Sequence, residues 1–323
     1  MKSMINKYVT NAFTDHLIKC AKKNKKFVIL DADLSDDLNL KKFSTIYPHR
    51  FIQNGIAEQD MISMAGGISL MGLTPIVNSF ASFLTSRGNE QIYNNSTEGT
   101  KIIYICLYAG SMPAGAGKSH QSLRDISLLS SIPNFKIFHP YNYIETEQIL
   151  SHCLNKKEKN NCAIRLSIGP MPKESPPLGK NYKFKLGRGI SISKGNDGII
   201  FTYGQTMVTE AYKTYLNLKK GNINLEIINM SCINYFDKSW LKQKVEGHKN
   251  IFFLEDHSFN GGISDLMISF LTQNNLIKNH SIFKFGFRDF PACGTYEEVL
   301  KFHHLDHVSL AKKIKKKLKN EKH

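Results

Sequence analysis

Cysteine chemistry is the first thing this sequence lacks. Its six cysteines (Cys20, Cys106, Cys153, Cys162, Cys232 and Cys293) are scattered among 323 residues, with no C-x-x-C pair and no histidine at ligand spacing. Such a pattern speaks against a zinc motif and against a disulfide framework. Four of the six lie in or beside apolar runs, where they read as small buried hydrophobes of a reducing compartment. No run has the uninterrupted apolar length of a membrane span. The opening Met1-Lys-Ser-Met-Ile-Asn-Lys carries no apolar stretch of the signal-peptide kind. The expectation is a soluble cytoplasmic protein with no membrane partner. Acidic residues are also short, 27 against 43 Lys and Arg, for a formal charge of +16. The lysines are spread along the chain, and Ala311-Lys-Lys-Ile-Lys-Lys-Lys-Leu-Lys reads as the exposed face of a last helix. Without an aromatic-interleaved basic stretch or a recognition motif, the charge alone does not make a nucleic-acid-binding protein.

What is present is a regular alternation. Apolar runs of strand length at residues 27–31, 75–79, 101–108, 135–139 and 163–167 are separated by helical patterns at 8–22, 57–71, 83–93, 122–130 and 144–154. That order predicts an α/β fold with a mainly parallel sheet flanked by helices. Gly169-Pro-Met-Pro-Lys-Glu-Ser-Pro-Pro-Leu-Gly then brings four of the ten prolines and no periodicity. Beyond it the alternation resumes, with strands expected at 198–202, 225–229, 251–255 and 282–285 and a final helix through 310–318. We therefore expect two α/β domains, 1–168 and 187–323, joined by a linker over 169–186.

One motif misleads. The strand at 101–108 runs into Ala109-Gly-Ser-Met-Pro-Ala-Gly-Ala-Gly-Lys-Ser-His, and Gly117-Lys118-Ser119 looks like the end of a phosphate-binding loop. That loop needs a glycine at position 112 so that consecutive backbone N–H groups wrap the phosphates. Position 112 is Met, and Pro113 lacks the N–H altogether.

The most informative stretch is Asn54-Gly-Ile-Ala-Glu-Gln-Asp-Met-Ile-Ser-Met-Ala-Gly-Gly. Asn54-Gly55 marks a turn, and Glu58 falls in the first turn of the helix that follows. A carboxylate there can simply complement the positive helix end, worth about 0.3–1 kcal/mol. The alternative is chemical, because Ile56, Met61, Ile62, Met64 and Ala65 make its expected surroundings apolar. Phe80 and Phe83 stand three apart after a strand, the spacing of one helix face, which suits core packing as well as a ring site. His120 lies in a loop, where a histidine is ordinarily just solvated.

These segments, in this order, resemble the transketolase family over nearly the whole chain. Gly55-Ile-Ala-Glu-Gln-Asp-Met resembles the Gly-Ile-x-Glu-x-x-Met of its pyrimidine-binding domain. Gly117-Lys-Ser-His-Gln, with its following helix and Ile132-Pro-Asn, resembles the family's Gly-x-Thr-His-Gln segment. Asp31-Ala-Asp-Leu matches Ala-Asp-Leu at a strand end, and Leu254-Glu-Asp-His-Ser-Phe-Asn-Gly-Gly matches the C-terminal domain. The resemblance implies thiamine diphosphate as cofactor. Glu58 would hydrogen-bond the aminopyrimidine ring nitrogen, with Asp33, Ile56, Phe80 and Phe83 completing the cofactor site. His120 would be catalytic at the mouth of the site, and Tyr108, His120 and Gln121 would meet substrate. The Glu-Asp-His and Gly-Gly segment would serve a subunit contact rather than chemistry.

The family's diphosphate and Mg²⁺ site is marked by Gly-Asp-Gly, which this sequence does not contain. No metal ligand is assigned here, and Mg²⁺ is expected on an N-terminal-type partner subunit in an α₂β₂ heterotetramer. The family's sugar-phosphate contacts fall on Asn11, Leu166, Asp37 and Tyr108, and its donor-hydroxyl aspartate falls on Ala116. Losing the cations removes charge-assisted hydrogen bonds to phosphate. The expected function is two-carbon (ketol or acyl) transfer to an aldose or keto-sugar other than the standard pentose phosphates. Three rivals remain: a beta subunit of a 2-oxo-acid dehydrogenase, a deoxyxylulose phosphate synthase, and a non-catalytic subunit that kept the fold. His120-Gln121 and Ile132-Pro-Asn favour transketolase over the first, and a synthase of that kind normally carries all its domains on one chain.

Overall fold

The computed structural model describes residues 8–112, 114–179 and 181–320. The opening segment read for a signal peptide and Pro113 of the glycine-rich loop lie outside the described residues. Among the described residues, no helix is long and apolar enough to cross a membrane.

The first half is built of α1 (Val9–Lys23), β1 (Phe27–Asp31), α2 (Lys41–Ile46), β2 (Phe51–Gln53), α3 (Glu58–Leu70), β3 (Thr74–Phe80), α4 (Ala81–Arg87), α5 (Asn89–Thr97), β4 (Ile103–Leu107), α6 (Asp125–Ser130), β5 (Lys136–Phe138), α7 (Tyr143–Cys153) and β6 (Cys162–Leu166). Its six strands form one parallel sheet in the order β2-β1-β3-β4-β6-β5. Such a sheet is covered on both faces, so its strands read as continuous apolar runs. All five residues of β4, Ile-Tyr-Ile-Cys-Leu, are buried.

The second half comprises β7 (Ile190–Ser193), β8 (Gly198–Thr202), α8 (Gly204–Lys219), β9 (Leu225–Asn229), α9 (Lys238–Val245), β10 (Asn250–Ser258), α10 (Ile263–Gln273), β11 (Ser281–Phe287), α11 (Tyr296–Phe302) and α12 (His307–Asn320). Its sheet runs β11-β10-β8-β9-β7, parallel except for β7, which pairs antiparallel with β9. Asp237 caps α9 by accepting from Trp240 N at 2.9 Å, and a Thr295–Glu298 capping box opens α11.

Several elements differ from expectation. The single helix expected over 83–93 is two, because Gly88 sits where α4 and α5 meet and packs against Ile62. A Cβ there would lie 2.2 Å from Ile62 Cδ1. The helix expected from residue 122 begins at Asp125, since Ser122 is spent on backbone pairing with Gly110 (3.1 and 2.8 Å). β2, α2 and β7 are too short to show a period. The segment expected as a linker over 169–186 is packed on the first half: Tyr182 Oη donates to Glu145 at 2.7 Å, Phe184 N donates to Gln148 at 2.6 Å, and Tyr141 Oη donates to Pro176 O. Four of the six cysteines, Cys106, Cys153, Cys162 and Cys232, are buried as expected.

The two sheets are joined by buried polar groups. Arg165, on β6, is fully buried and forms a two-point pair with Asp125 (2.7 and 3.1 Å). Its third arm meets His139 Nδ1 at 2.8 Å. Burial opposes the guanidinium's charge, but the Asp125 carboxylate outweighs it and holds Arg165 above its ordinary pKa. Glu145 on α7 accepts from Asn229 of the second sheet at 3.0 Å and from Tyr141 N at 2.7 Å.

Candidate active site

In open parallel sheets, ligands bind outside the carboxyl ends of strands, where the strand order reverses. Here the chain steps from β1 to β2 on one side and to β3 on the other. At the end of β1, buried Asp31 accepts from Leu34 N (3.0 Å), Ser35 Oγ (2.7 Å), Gln53 Nε2 (3.0 Å) and Asn78 Nδ2 (2.6 Å). This knot turns the chain sharply, and Asp33 follows with φ of 62°. Asp33 is exposed, and its backbone N–H donates to Gln53 Oε1 at 3.0 Å.

Glu58 is the first residue of α3 and only 3% exposed. Of the apolar residues expected around it, Met61, Ile62 and Ala65 are buried on the same helix, whereas Ile56, before the helix, is 72% exposed and Met64 is also exposed. The carboxylate itself faces polar groups. Ser79 Oγ donates to Oε1 at 3.2 Å, and Arg87 Nη1 donates to Oε2 at 3.0 Å and Oε1 at 3.3 Å.

Beside this pair lies an aromatic cluster. Phe80 ends β3 and Phe83 sits one helical turn on, with ring centroids 5.5 Å apart at 70°. His120 packs edge-on against both, 5.3 Å from Phe80 and 5.1 Å from Phe83. Tyr108, left-handed at φ 54°, lies 4.7 Å from Phe80. Burial and nearby Asp37 push the Tyr108 hydroxyl's pKa up. Asp37 is itself raised, by burial and then by Asp36 and Asp31. The structure thus brings Glu58, Phe80, Phe83, Tyr108 and His120 together, and leaves Asp33 and Ile56 exposed.

Gln121 takes a different place. It is buried, and its Nε2 donates to Ser111 O at 2.9 Å and to Ala292 O of the second half at 3.1 Å, tying the loop across the junction. Among the positions aligned with sugar-phosphate contacts, Asn11 Oδ1 accepts from Asn39 Nδ2 at 3.2 Å and Leu166 is buried in β6. Ala116 lies exposed in the loop.

Two participants were missed from sequence. Arg87 is one, although it stands four residues after Phe83, the spacing of one helix face. Asp256 on β10 is the other. Its Oδ1 accepts from Ser111 N at 2.8 Å, and a Cβ on Gly110 (φ +91°) would lie 2.2 Å from its Oδ2. The base of the 110–122 loop is therefore held by the second half of the molecule. Among the described residues, no group of three or more His, Cys, Asp or Glu is arranged to hold a metal ion.

Comparison with known proteins places these halves. Residues 7–172 match the model of the transketolase pyrimidine-binding domain, and residues 187–310 match that of the transketolase C-terminal domain. A putative transketolase C-terminal section from Methanocaldococcus jannaschii is 29% identical, covering 99% of both chains. The 1-deoxy-D-xylulose-5-phosphate synthase of Clostridium tetani is 28% identical over 95% of this chain, which spans 48% of that protein. Among solved structures, a split-gene transketolase described as an inactive beta4 tetramer superposes with a TM-score of 0.82 at 25% identity, covering 96% of this chain and 98% of that one.

Proposed function

The chain belongs to the transketolase family, and on that premise we propose that it is the C-terminal subunit of a thiamine-diphosphate-dependent transferase, active with an N-terminal-type partner. The observation that carries this reading is Glu58, a carboxylate 3% exposed at the start of α3 and linked through Arg87 to Phe83 of the Phe80–Phe83–His120 cluster. An aminopyrimidine asks for those two things, a carboxylate acceptor for a ring N–H and aromatic faces to lie against. The residues present fit that group. We place Mg²⁺ on the partner, because this sequence contains no Gly-Asp-Gly.

When bound, thiamine diphosphate supplies the carbanion chemistry of carbon–carbon bond transfer. Glu58 shares a proton at the aminopyrimidine ring nitrogen, and the Ser79 hydroxyl on Oε1 fixes the plane of its carboxylate. Phe80 and Phe83 orient the ring and exclude water. His120, held between them and bonded through Nδ1 to Ser119 Oγ at 3.0 Å, holds or moves a proton on a substrate oxygen. Tyr108, beside Asp37, lines the acceptor end. The expected metal-independent cations for a sugar phosphate are replaced by Asn11, Leu166, Asp37 and Tyr108, and the donor-side aspartate by Ala116. That composition supports a ketol or acyl transfer to an aldose or keto-sugar other than the standard pentose phosphates. The likeness both to a transketolase section and to a 1-deoxy-D-xylulose-5-phosphate synthase keeps ketol and acyl donors equally in view. We place the protein in the cytoplasm in an α₂β₂ heterotetramer.

The Arg87–Glu58 pair favours a second reading, a non-catalytic subunit that has kept the fold, because the carboxylate already has a partner. Co-purification with a Gly-Asp-Gly-bearing subunit, then thiamine diphosphate titration of each chain alone and mixed, separates the two. Mg²⁺-dependent binding in the mixture alone is the expected result. Binding in no mixture, even once Arg87 is replaced and Glu58 freed, would overturn the enzyme reading. Turnover of xylulose 5-phosphate at ordinary transketolase efficiency would overturn the substrate assignment.

A further inference from the structure

Arg87 stands in an unusual position. Its Cζ lies 3.9 Å from the centroid of Phe83, over the ring face, while Nη1 reaches both oxygens of Glu58 at 3.0 and 3.3 Å. A guanidinium is planar, stacks on aromatic faces and donates N–H bonds in its own plane to a carboxylate. Those are the properties of the aminopyrimidine that the proposed function assigns to the same two residues. The two cannot hold the Phe83 face and the Glu58 carboxylate together.

We propose that Arg87 is a latch on the cofactor site, a built-in occupant that the aminopyrimidine must displace; this rests on the assignment of Glu58 and Phe83 to the cofactor. The latch has a reason in the free chain. Glu58 is nearly fully buried, and a buried carboxylate without a partner is costly, so Arg87 neutralises it until the cofactor arrives. It also has room to leave. The Arg87 side chain is 48% exposed and ends α4, so it can turn outward without moving the helix. It borders a cleft of roughly 930 Å³ that runs between α4 and the 288–291 segment. Among the described residues Asp289 is the only carboxylate lining that cleft and the natural partner for a displaced guanidinium. Neighbouring Arg124 is already bonded to Ser86 Oγ at 3.0 Å and does not compete for Glu58.

The test compares the wild-type full chain with Arg87→Met and Arg87→Lys, each mixed with its N-terminal-type partner. Thiamine diphosphate with Mg²⁺ is titrated by calorimetry, and melting of each free chain checks folding. Losing a charge-assisted pair predicts that Arg87→Met binds the cofactor about ten-fold tighter or more. Arg87→Lys keeps the charge but cannot stack, and falls between. The free Arg87→Met chain melts at lower temperature than wild type, and Glu58→Gln in the same chain restores it. A latch closed completely appears as binding by Arg87→Met where wild type shows none, which also supports the proposal. Wild-type binding with Arg87→Met equal or weaker overturns the latch and leaves the functional reading intact. Binding by neither chain overturns both.

Discussion

At the scale of single residues, most of the chemistry converges on buried carboxyls whose neighbours differ. Glu58 has an ion-pair partner, and its replacement isolates its role. Glu58→Gln in the reconstituted enzyme is expected to lower turnover by about 10²-fold or more with cofactor-free melting little changed, the scale of a lost acid–base contact. Unchanged kcat would leave the non-catalytic reading standing. Glu255 on β10 is the contrasting case. It is fully buried, Ser264 Oγ donates to one oxygen at 2.5 Å, and the other has no hydrogen-bond partner. Burial pushes its pKa up to about 7. The folded chain therefore holds this proton at pH values where the unfolded chain, near 4.3, has released it. Folded stability is complete below that unfolded value, falls as pH rises toward 7, and is flat above. Glu255→Gln removes the titration, so the variant should melt like wild type at pH 4 and several degrees higher at pH 8, by up to about 3 kcal/mol. An equal shift at both pH values would contradict this.

At the scale of elements, the 110–122 loop is the one whose position matters to the site. It leaves β4 at Tyr108, returns to α6 at Asp125, and carries His120 between. Its base is held by Asp256 on Ser111 N, by Gln121 on Ala292 O, and by Ser258 N donating to Leu123 O at 2.8 Å. Asp256→Ala is expected to speed amide exchange through residues 111–121 while β4 itself stays protected. Uniform exchange would show that β4 and α6 alone set the loop. The sequence made the loop visible through Gly117-Lys-Ser-His-Gln but could not name its clamp, because Asp256 lies 145 residues from Ser111. The split of one expected helix into α4 and α5 has a similar cause. Gly88 breaks the helix because it packs on Ile62, a contact between elements that no local pattern reports.

At the scale of the whole molecule, the two sheets share buried bonds. Arg165, paired with Asp125, donates to Asp256 O of the second half at 3.4 Å, His139 N donates to Ser231 O at 2.9 Å, and Asn229 Nδ2 donates to Glu145 at 3.0 Å. We expect one cooperative thermal transition for the free chain. Arg165→Met leaves Asp125 buried and unpaired, and should cost about 3–5 kcal/mol and separate the transition into two. Two transitions already in wild type would mean that each sheet is stable without the junction.

The sequence by itself determined the α/β class and every strand but β2 and β7, because parallel strands buried on both faces must be written as apolar runs. The family resemblance of its segments also pointed to Glu58, Phe80, Phe83, Tyr108 and His120. Tertiary structure alone decided what each of them touches. Ile56 and Met64 are exposed, and half-exposed Arg87 reaches Glu58, because α3 and α4 are brought together by packing and not by any local pattern. A carboxylate's surroundings are assembled from elements distant in the chain, and here the decisive neighbour, Arg87, is 29 residues from the carboxylate it neutralises.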